Sequence, residues 1–201
     1  MEGKTVYLLR HGRIATTGDQ RRYIGQADLP LEPEGVRQAE RLRALLGNLD
    51  FFVVYCSDLV RSRDTAKIIA GAPVKIKVHP GLREISLGDW EGRTFDEVAR
   101  CFPDQFEARG RDIAYYRPPG GESFADCSKR AMTAFHQIMT EERERPVIIV
   151  GHAGVNRVIL SHVLGMPLAN LFRINQDFGC INIIQYMGAN SRVKAVNLTL
   201  K

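Results

Sequence analysis

Two short, uninterrupted apolar runs constrain the fold more than any other feature of the sequence. Residues 5–9 and 147–150 are rich in residues that favour strands, without the polar alternation of a strand that has one face in water. Near-continuous apolar runs of this length are typical of parallel strands that are buried on both faces. Apolar residues at helical spacing occupy the segments 34–46, opened by Pro33, and 59–70. The sequence therefore predicts an α/β protein with a mostly parallel central sheet flanked by helices.

Weaker patterns predict the remaining strands and helices of the chain. Strands are predicted at 51–55 and 74–78, with two or three more in 171–199, and helices are predicted at 122–143 and from Gly154 to 164. The segment 81–121 is punctuated by Pro and Gly and predicts two short helices, near 95–101 and 104–109. Because it is too short to form its own core, we interpret about 87–121 as a small helical cap inserted into one domain that spans 1–201.

Composition and charge are those of an ordinary globular protein. Hydrophobic residues make up 44% of the chain, and no apolar run reaches the roughly 18 residues that cross a bilayer. The net charge of +5 comes from scattered side chains, so we expect no nucleic-acid partner and no membrane partner. A signal peptide is not evident, and Cys56, Cys101, Cys127 and Cys180 form no Cys-x-x-Cys motif, so we expect a cytoplasmic protein with free thiols.

Basic and imidazole side chains follow three of the predicted strands at the point where each strand ends. Arg10 and His11 follow the first strand, Arg61 comes soon after the second, and His152 follows the strand at 147–150. Ligands of parallel α/β sheets bind outside the carboxyl ends of the strands. We therefore expect these four side chains to meet at one edge of the sheet.

Two arginines and two histidines at one site are suited to a dianion. Arginine presents paired donors that match phosphate oxygens, and phosphoryl transfer depends largely on positioning and on stabilising charge. We expect Arg10, Arg61 and His152 to hold a phosphoryl group that a neutral His11 takes covalently. Positive neighbours should keep His11 unprotonated, and a fixed acceptor should hold its other ring N–H. Since no Asp-rich metal-ligand spacing is present, we expect neither a metal nor another cofactor.

The leaving alkoxide of such a reaction needs a proton. Glu84 follows the third predicted strand and is expected at the same edge of the sheet. A carboxylic acid there would protonate the departing oxygen and then activate water for hydrolysis of phosphohistidine. An alternative stays open, in which Glu84 pairs with Arg83 or an active-site arginine and another carboxylate supplies the proton.

The same residues resemble the histidine phosphatase superfamily, which has the phosphoglycerate mutase-like fold, a three-layer sandwich. Arg10-His11-Gly12 resembles the superfamily's signature, and Gly151-His152-Ala153-Gly154 resembles its second-histidine motif. Three further segments match in order and spacing: residues 23–39, the second-arginine segment 56–62 and the acid loop 82–92.

The resemblance implies the roles that the residue chemistry suggests. His11 is the implied nucleophile, Glu84 the implied proton donor, and Arg10, Arg61 and His152 the implied phosphate pocket. The expected substrate contacts are Arg10, Gly12, Arg13, Thr17, Gly25, Arg61 and Ala153.

Within the superfamily the chain most resembles the short phosphatases, especially the α-ribazole phosphatase-like branch of cobalamin biosynthesis. Residues 118–123 and 172–182 carry this similarity. It implies a phosphomonoesterase that acts through phosphohistidine on a small phosphorylated metabolite, with α-ribazole 5′-phosphate as a candidate. A homodimer is compatible with the sequence and is left open.

Departures from the family pattern leave other functions open. Arg13 stands where the family usually has an acidic residue or Gln, and with Arg21 and Arg22 it indicates a substrate with extra negative charge. The glycolytic mutases carry Ser and Asn in place of residues 15–17 and have a longer cap, which weakens the alternative of mutase-type phosphoryl transfer. A protein phosphohistidine or phosphotyrosine phosphatase is a second alternative, favoured by an open, shallow cap. A binding protein without turnover is a third.

Overall fold

The computed structural model describes residues 3–16, 18, 20–47, 49, 53–142 and 145–200. Six strands form one sheet in the order β3-β2-β4-β1-β5-β6. The strands are β1 (Lys4–Arg10), β2 (Val53–Cys56), β3 (Lys75–Val78), β4 (Val147–Gly151), β5 (Ile181–Tyr186) and β6 (Arg192–Leu198). The helices are α1 (Pro33–Leu46), α2 (Val60–Ala70), α3 (Phe95–Cys101), α4 (Pro103–Arg111), α5 (Phe124–Glu141) and α6 (Ala153–Val163), with 3-10 turns at Pro80–Leu82, Gly88–Trp90 and Leu168–Arg173.

The predicted, mostly parallel sheet is confirmed. β1, β2, β3 and β4 run parallel, whereas β5 and β6 extend the β1 edge in antiparallel pairing. The segment 171–199, predicted to hold two or three strands, therefore contributes two, β5 and β6. The 3-10 turn at Leu168–Arg173 overlaps the start of this segment. Residues 51 and 52, at the start of the predicted second strand, lie outside the described residues, as does Arg143 at the predicted end of α5.

Side chains of the central strands alternate between two cores. Leu8 of β1 packs in one core with Phe135 of α5, and the neighbouring Leu9 packs in the other with Leu42 of α1. Every residue of β2 and β4 is buried, which explains their continuous apolar character. Burying each such side chain stabilises the fold by about 1.5–3 kcal/mol, so both faces of the sheet must be covered by helices.

Strand register brings the predicted site residues together. Arg10 at the end of β1 pairs with Gly151 at the end of β4, and the His11 backbone N–H donates to the Gly151 carbonyl at 3.2 Å. Cys56 at the end of β2 pairs with Val150 of β4. The segments that leave these three strands therefore start side by side at one edge of the sheet.

The predicted cap contains α3, α4 and the turn at Gly88–Trp90. It is joined to the loop before α1, since the Phe95 N–H donates to the Arg21 carbonyl at 3.1 Å and the Tyr23 N–H donates to the Arg93 carbonyl at 2.9 Å. Trp90 is fully buried and packs against the ring of Tyr23, with 5.3 Å between ring centres. None of the described helices is long and apolar enough to cross a bilayer.

Candidate active site

His11 is held in a defined tautomer. Its side chain is 3% exposed, and its Nδ1 lies 2.7 Å from the Gly12 carbonyl oxygen. Because a carbonyl oxygen only accepts hydrogen bonds, Nδ1 carries the proton and the lone pair is on Nε2. The Gly12 carbonyl is thus the fixed acceptor that a nucleophilic imidazole requires.

Gly12 itself is packed against the backbone of α1. A Cβ atom at this position would overlap the Gly35 carbonyl oxygen. The Gly12 N–H donates to Thr65 Oγ1 at 3.1 Å. These contacts immobilise the carbonyl group that orients His11, so Gly12 is a positioning residue for His11.

The electrostatic surroundings keep His11 neutral. Burial lowers the pKa of His11 well below its ordinary value of 6.5, and the charges of Arg10 and Arg61 lower it further. Burial also lowers the pKa of Arg10, to about 10, which leaves that guanidinium charged at neutral pH. The arginines therefore act as predicted, although burial is the larger cause.

Arg10 is supported by a buried group of amides. Its Nη1 donates to the Gln176 carbonyl at 2.5 Å, and its guanidinium lies 3.7 Å from the centre of the Phe178 ring. The Gln176 side chain is held in turn by Asn156 and Asn182, whose Nδ2 atoms donate to its Oε1 at 3.1 and 2.9 Å. These hydrogen bonds between amide side chains hold the Gln176 backbone that orients Arg10.

Arg61 joins α2 to the loop before α1. Its Nη1 and Nη2 donate to the carbonyls of Ala27 and Gly25, each at 2.7 Å. Gly25 has φ +51°, and a Cβ there would lie 2.5 Å from Glu91 Oε1, so glycine is required at this turn. The loop and the guanidinium therefore hold each other in place.

His152 lies behind His11 and is bound to Ser57. The two imidazole ring centres are 5.0 Å apart, and His152 Nε2 lies 2.7 Å from Ser57 Oγ. Burial lowers the pKa of His152 well below 6.5, and His11, Arg61 and Arg10 lower it further. Both His11 and His152 are therefore neutral at pH 7.

Glu84 is anchored at the N-terminus of α6. Its Oε2 accepts from the Gly154 N–H at 3.0 Å, and its Oε1 accepts from the N–H groups of Val155 and Ile85 at 3.2 and 3.0 Å. A Cβ on Gly154 would lie 2.5 Å from Glu84 Oε1, so a glycine at this position leaves the space that the Glu84 carboxylate occupies. Arg83 forms its ion pair with Asp58. Among the described residues Glu84 forms no ion pair with Arg83 or with an active-site arginine, so this part of the alternative is wrong, while the part in which another carboxylate supplies the proton stays open.

These side chains surround a cavity of about 520 Å³, termed the main cavity. It is lined by the predicted residues Arg10, His11, Arg13, Gly25, Arg61 and Glu84. Two predicted substrate contacts are placed elsewhere: Gly12 and Ala153 are not among its lining residues, since Gly12 packs on Gly35 and Ala153 lines an adjoining cavity. The fully buried His152 is not among the lining residues either, although its ring centre lies 5.0 Å from that of His11. The predicted contact Thr17 lies outside the described residues.

Comparison with known proteins decides the family. A sequence profile of the histidine phosphatase superfamily (branch 1) matches residues 6–199. The chain belongs to the histidine phosphatase superfamily. It is accordingly a hydrolase that acts on phosphate monoesters.

Relatives of this histidine phosphatase include two kinds of named phosphatase. The adenosylcobalamin/alpha-ribazole phosphatase of Escherichia coli is 27% identical over 96% of this chain and 95% of its own. The glucosyl-3-phosphoglycerate phosphatase of Mycolicibacterium vanbaalenii is 33% identical over 85% of this chain and 78% of its own. The crystal structure of the alpha-ribazole phosphatase from Shigella flexneri superimposes with a TM-score of 0.88 at 27% identity, covering 96% of each chain.

Among the described residues, no three His, Cys, Asp or Glu side chains are grouped so that they would hold a metal ion. The four cysteines of the phosphatase are free. Burial raises the pKa of Cys56 and of Cys180 to about 11, so both thiols are protonated at neutral pH.

Several residues that shape the histidine phosphatase site were not predicted as site residues. Ser57 holds His152, Gln176 holds Arg10, and Phe178 packs on both Arg10 and His11. Each lies in a segment that resembles the family, but no spacing rule connects residues 176 and 178 with Arg10. For Ser57 a signal existed, because it directly follows β2 at the edge where the site forms.

Proposed function

We propose that this histidine phosphatase hydrolyses a small phosphorylated metabolite through a phosphohistidine on Nε2 of His11. The observation that carries the proposal is the neutral imidazole of His11, whose proton is held on Nδ1 by the Gly12 carbonyl at 2.7 Å. Its pKa is lowered by burial and by the arginines, which favours the nucleophilic form over the protonated one.

His152 supplies a donor to the phosphoryl group in this proposal. Ser57 Oγ accepts from the Leu59 N–H at 3.3 Å and lies 2.7 Å from His152 Nε2, and in this proposal its hydroxyl donates to that nitrogen. The neutral ring then carries its proton on Nδ1, a buried atom without another hydrogen-bond partner among the described residues. This Nδ1–H, with the guanidinium groups of Arg10 and Arg61, would stabilise charge on the phosphoryl oxygens.

Phosphoryl transfer proceeds in two balanced steps. His11 Nε2 attacks phosphorus, the bond from phosphorus to the substrate oxygen breaks, and Glu84 gives its proton to the departing alcohol. The Glu84 carboxylate then takes a proton from a water molecule, whose oxygen attacks phosphorus. The bond to Nε2 breaks, inorganic phosphate leaves, and both His11 and Glu84 return to their initial protonation states.

The size of the main cavity supports a small metabolite over a protein substrate. Its volume of about 520 Å³ lies within the range of small-molecule sites. α-Ribazole 5′-phosphate and glucosyl-3-phosphoglycerate are the finer candidates, since relatives of similar identity are named for them.

The test is a screen of phosphate release combined with a trap for the intermediate. The substrates are p-nitrophenyl phosphate, α-ribazole 5′-phosphate, glucosyl-3-phosphoglycerate and 3-phosphoglycerate. We expect acid-labile, base-stable phosphate on His11 after rapid quenching, and near-complete loss of turnover in His11→Ala. His162→Ala, which changes an exposed histidine outside the main cavity, serves as the control. Label on serine or cysteine, or isomerisation of 3-phosphoglycerate without phosphate release, would contradict the proposal.

A further inference from the structure

A second cavity of about 350 Å³ adjoins the main cavity at Glu84 and is termed the cap-side cavity. The two cavities share the lining residues Arg21, Arg22, Glu84 and Phe95. Glu84 is the proposed donor of a proton to the leaving oxygen. The space beyond Glu84 is therefore where the alcohol part of a substrate would lie once its phosphoryl group is bound in the main cavity.

Besides Arg21 and Arg22, two further arginines line the cap-side cavity, and they come from different parts of the fold. Arg109 comes from α4 of the cap, and its guanidinium carbon lies 5.5 Å from the centre of the Tyr23 ring and 5.9 Å from that of Phe124. Arg157 comes from α6, where its Nε donates to the Ile174 carbonyl at 2.8 Å. The aromatic rings hold the guanidinium group of Arg109 in place, and the Ile174 carbonyl holds that of Arg157.

The charges of the two arginines are only partly offset: the Glu84 carboxylate interacts electrostatically with Arg157, and Arg109 hydrogen-bonds to Tyr23. Among the described residues, Arg109 and Arg157 form no ion pair, whereas the nearby Arg111 pairs with Glu107 at 2.9 Å and Arg117 pairs with Asp126 at 2.8 Å. Burial lowers the pKa of both Arg109 and Arg157, which reflects the cost of holding these charges away from water. A bound anion would offset that cost.

We propose that Arg109 and Arg157 recognise a carboxylate on the alcohol part of the substrate. The inference rests on the proposed function, because it assumes that the phosphoryl group is transferred at His11. A carboxylate suits the paired donors of a guanidinium. It carries one charge, so it costs less to desolvate among aromatic walls such as Tyr23 and Phe124 than a second phosphate dianion would.

The experiment compares matched substrates that differ in the carboxylate. One pair is 3-phosphoglycerate and glycerol 3-phosphate, and the other is 4-carboxyphenyl phosphate and 4-carbamoylphenyl phosphate. The measured quantity is the ratio of kcat/KM for the carboxylate to kcat/KM for its neutral partner. Intrinsic differences between the leaving groups cancel when this ratio is compared between wild type and variants.

We expect the ratio to fall by about tenfold in Arg109→Gln and in Arg157→Gln, since each removes a charge-assisted contact. Arg111→Gln is the matched control: it removes the same charge from the same helix, at a side chain that is 69% exposed and outside the cap-side cavity. The control should keep the wild-type ratio. If a glutamine variant fails to fold, Arg109→Lys and Arg157→Lys keep the charge and should still lower the ratio by losing the paired donors.

The outcomes separate the two proposals. An unchanged ratio in the arginine variants, or an equal loss for carboxylate and neutral substrates, would overturn the carboxylate site and leave the proposed function standing. If the wild type forms phosphohistidine but prefers neither carboxylate substrate over its neutral partner, the carboxylate site is likewise overturned and the proposed function stands. If no substrate releases phosphate and no phosphohistidine forms, the proposed function itself fails.

Discussion

Ser57 Oγ and His152 Nε2 lie 2.7 Å apart in the interior of the protein, where both side chains are fully buried. The contact spans 95 residues of sequence. It holds the orientation of an imidazole whose ring centre lies 5.0 Å from that of His11.

Removal of this hydroxyl should impair catalysis through His152. In Ser57→Ala, His152 Nε2 loses its partner, and we expect kcat to fall by about ten- to a hundredfold. The measurement is kcat for p-nitrophenyl phosphate, with circular dichroism to monitor folding. In a double-mutant cycle, Ser57→Ala should cost little more once His152→Ala is present. Fully additive losses would show that Ser57 acts independently of His152.

The stability of the protein should depend on pH through its two buried histidines. Burial, followed by the neighbouring charges, places the pKa of His11 and of His152 well below 6.5 in the folded protein. The unfolded chain binds protons at these histidines below about pH 6.5, whereas the folded protein does not. Their contribution is therefore fully present above that pH and is lost as the pH falls towards the folded-state pKa values.

Urea unfolding at a series of pH values measures this effect. Between about pH 6.5 and 5, each histidine should lower the free energy of unfolding by up to about 1.4 kcal/mol per pH unit. His152→Gln should remove about half of the combined slope, while His162→Gln, at an exposed site, should leave it unchanged. A wild-type slope near zero in this range would contradict the neutral, buried state of both rings.

Substitution of the proposed acid should discriminate between leaving groups. Glu84→Gln keeps an oxygen to accept from the N–H groups at the start of α6 but removes the transferable proton. We expect a loss of about 10²–10⁴ in kcat for alkyl phosphates, and a much smaller loss for p-nitrophenyl phosphate, whose phenolate leaves without protonation. Equal losses for both substrates would argue against Glu84 as the general acid.

Two glycines should respond oppositely to alanine. In Gly12→Ala the new Cβ overlaps the Gly35 carbonyl, so we expect lower stability, displacement of His11 and loss of turnover. Gly110 lies within α4 and has open space around its Cβ position. Gly110→Ala should therefore raise the free energy of unfolding by about 0.5–1 kcal/mol and leave turnover unchanged. Thermal unfolding and p-nitrophenyl phosphate hydrolysis measure both effects; normal activity in Gly12→Ala would refute the proposed backbone contact.

Turnover should be unaffected by chelators. In the proposed mechanism, Arg10, Arg61 and His152 supply the positive charge and donors that a divalent ion supplies in other phosphoryl-transfer enzymes. We expect the same kcat before and after prolonged dialysis against EDTA, with a zinc hydrolase treated in parallel as the control. Strict dependence on an added divalent metal would contradict the mechanism.

Much of the fold follows from local patterns. The apolar runs at β1 and β4 and the helical spacing in α1 predict their elements closely, because a strand buried on both faces has few alternative placements. The start of α5 was predicted two residues early, since Ser123 forms a capping box with Asp126 that begins the helix at Phe124.

The sequence predicts which residues meet at the site, but it does not predict the contacts that these residues make. Arg10, His11, Arg61 and Glu84 meet at the main cavity because each follows a strand of one parallel sheet. Gly12 and Ala153 were expected at the substrate and are not among the residues that line this cavity. Adjacency in sequence indicates which residues leave a strand, but backbone direction decides which of them point into the cavity.

The sequence by itself determined the order of strands and helices and the chemistry of the residues that follow the strands, because both depend on neighbours along the chain. Only the tertiary structure decided the protonated nitrogen of His11, the partner of His152, and the entry of Arg109 and Arg157 into the cavity beside Glu84. Those features depend on the packing of side chains from distant segments, such as Ser57 on His152 and Gln176 on Arg10, and a hydrogen bond tolerates only a few tenths of an ångström.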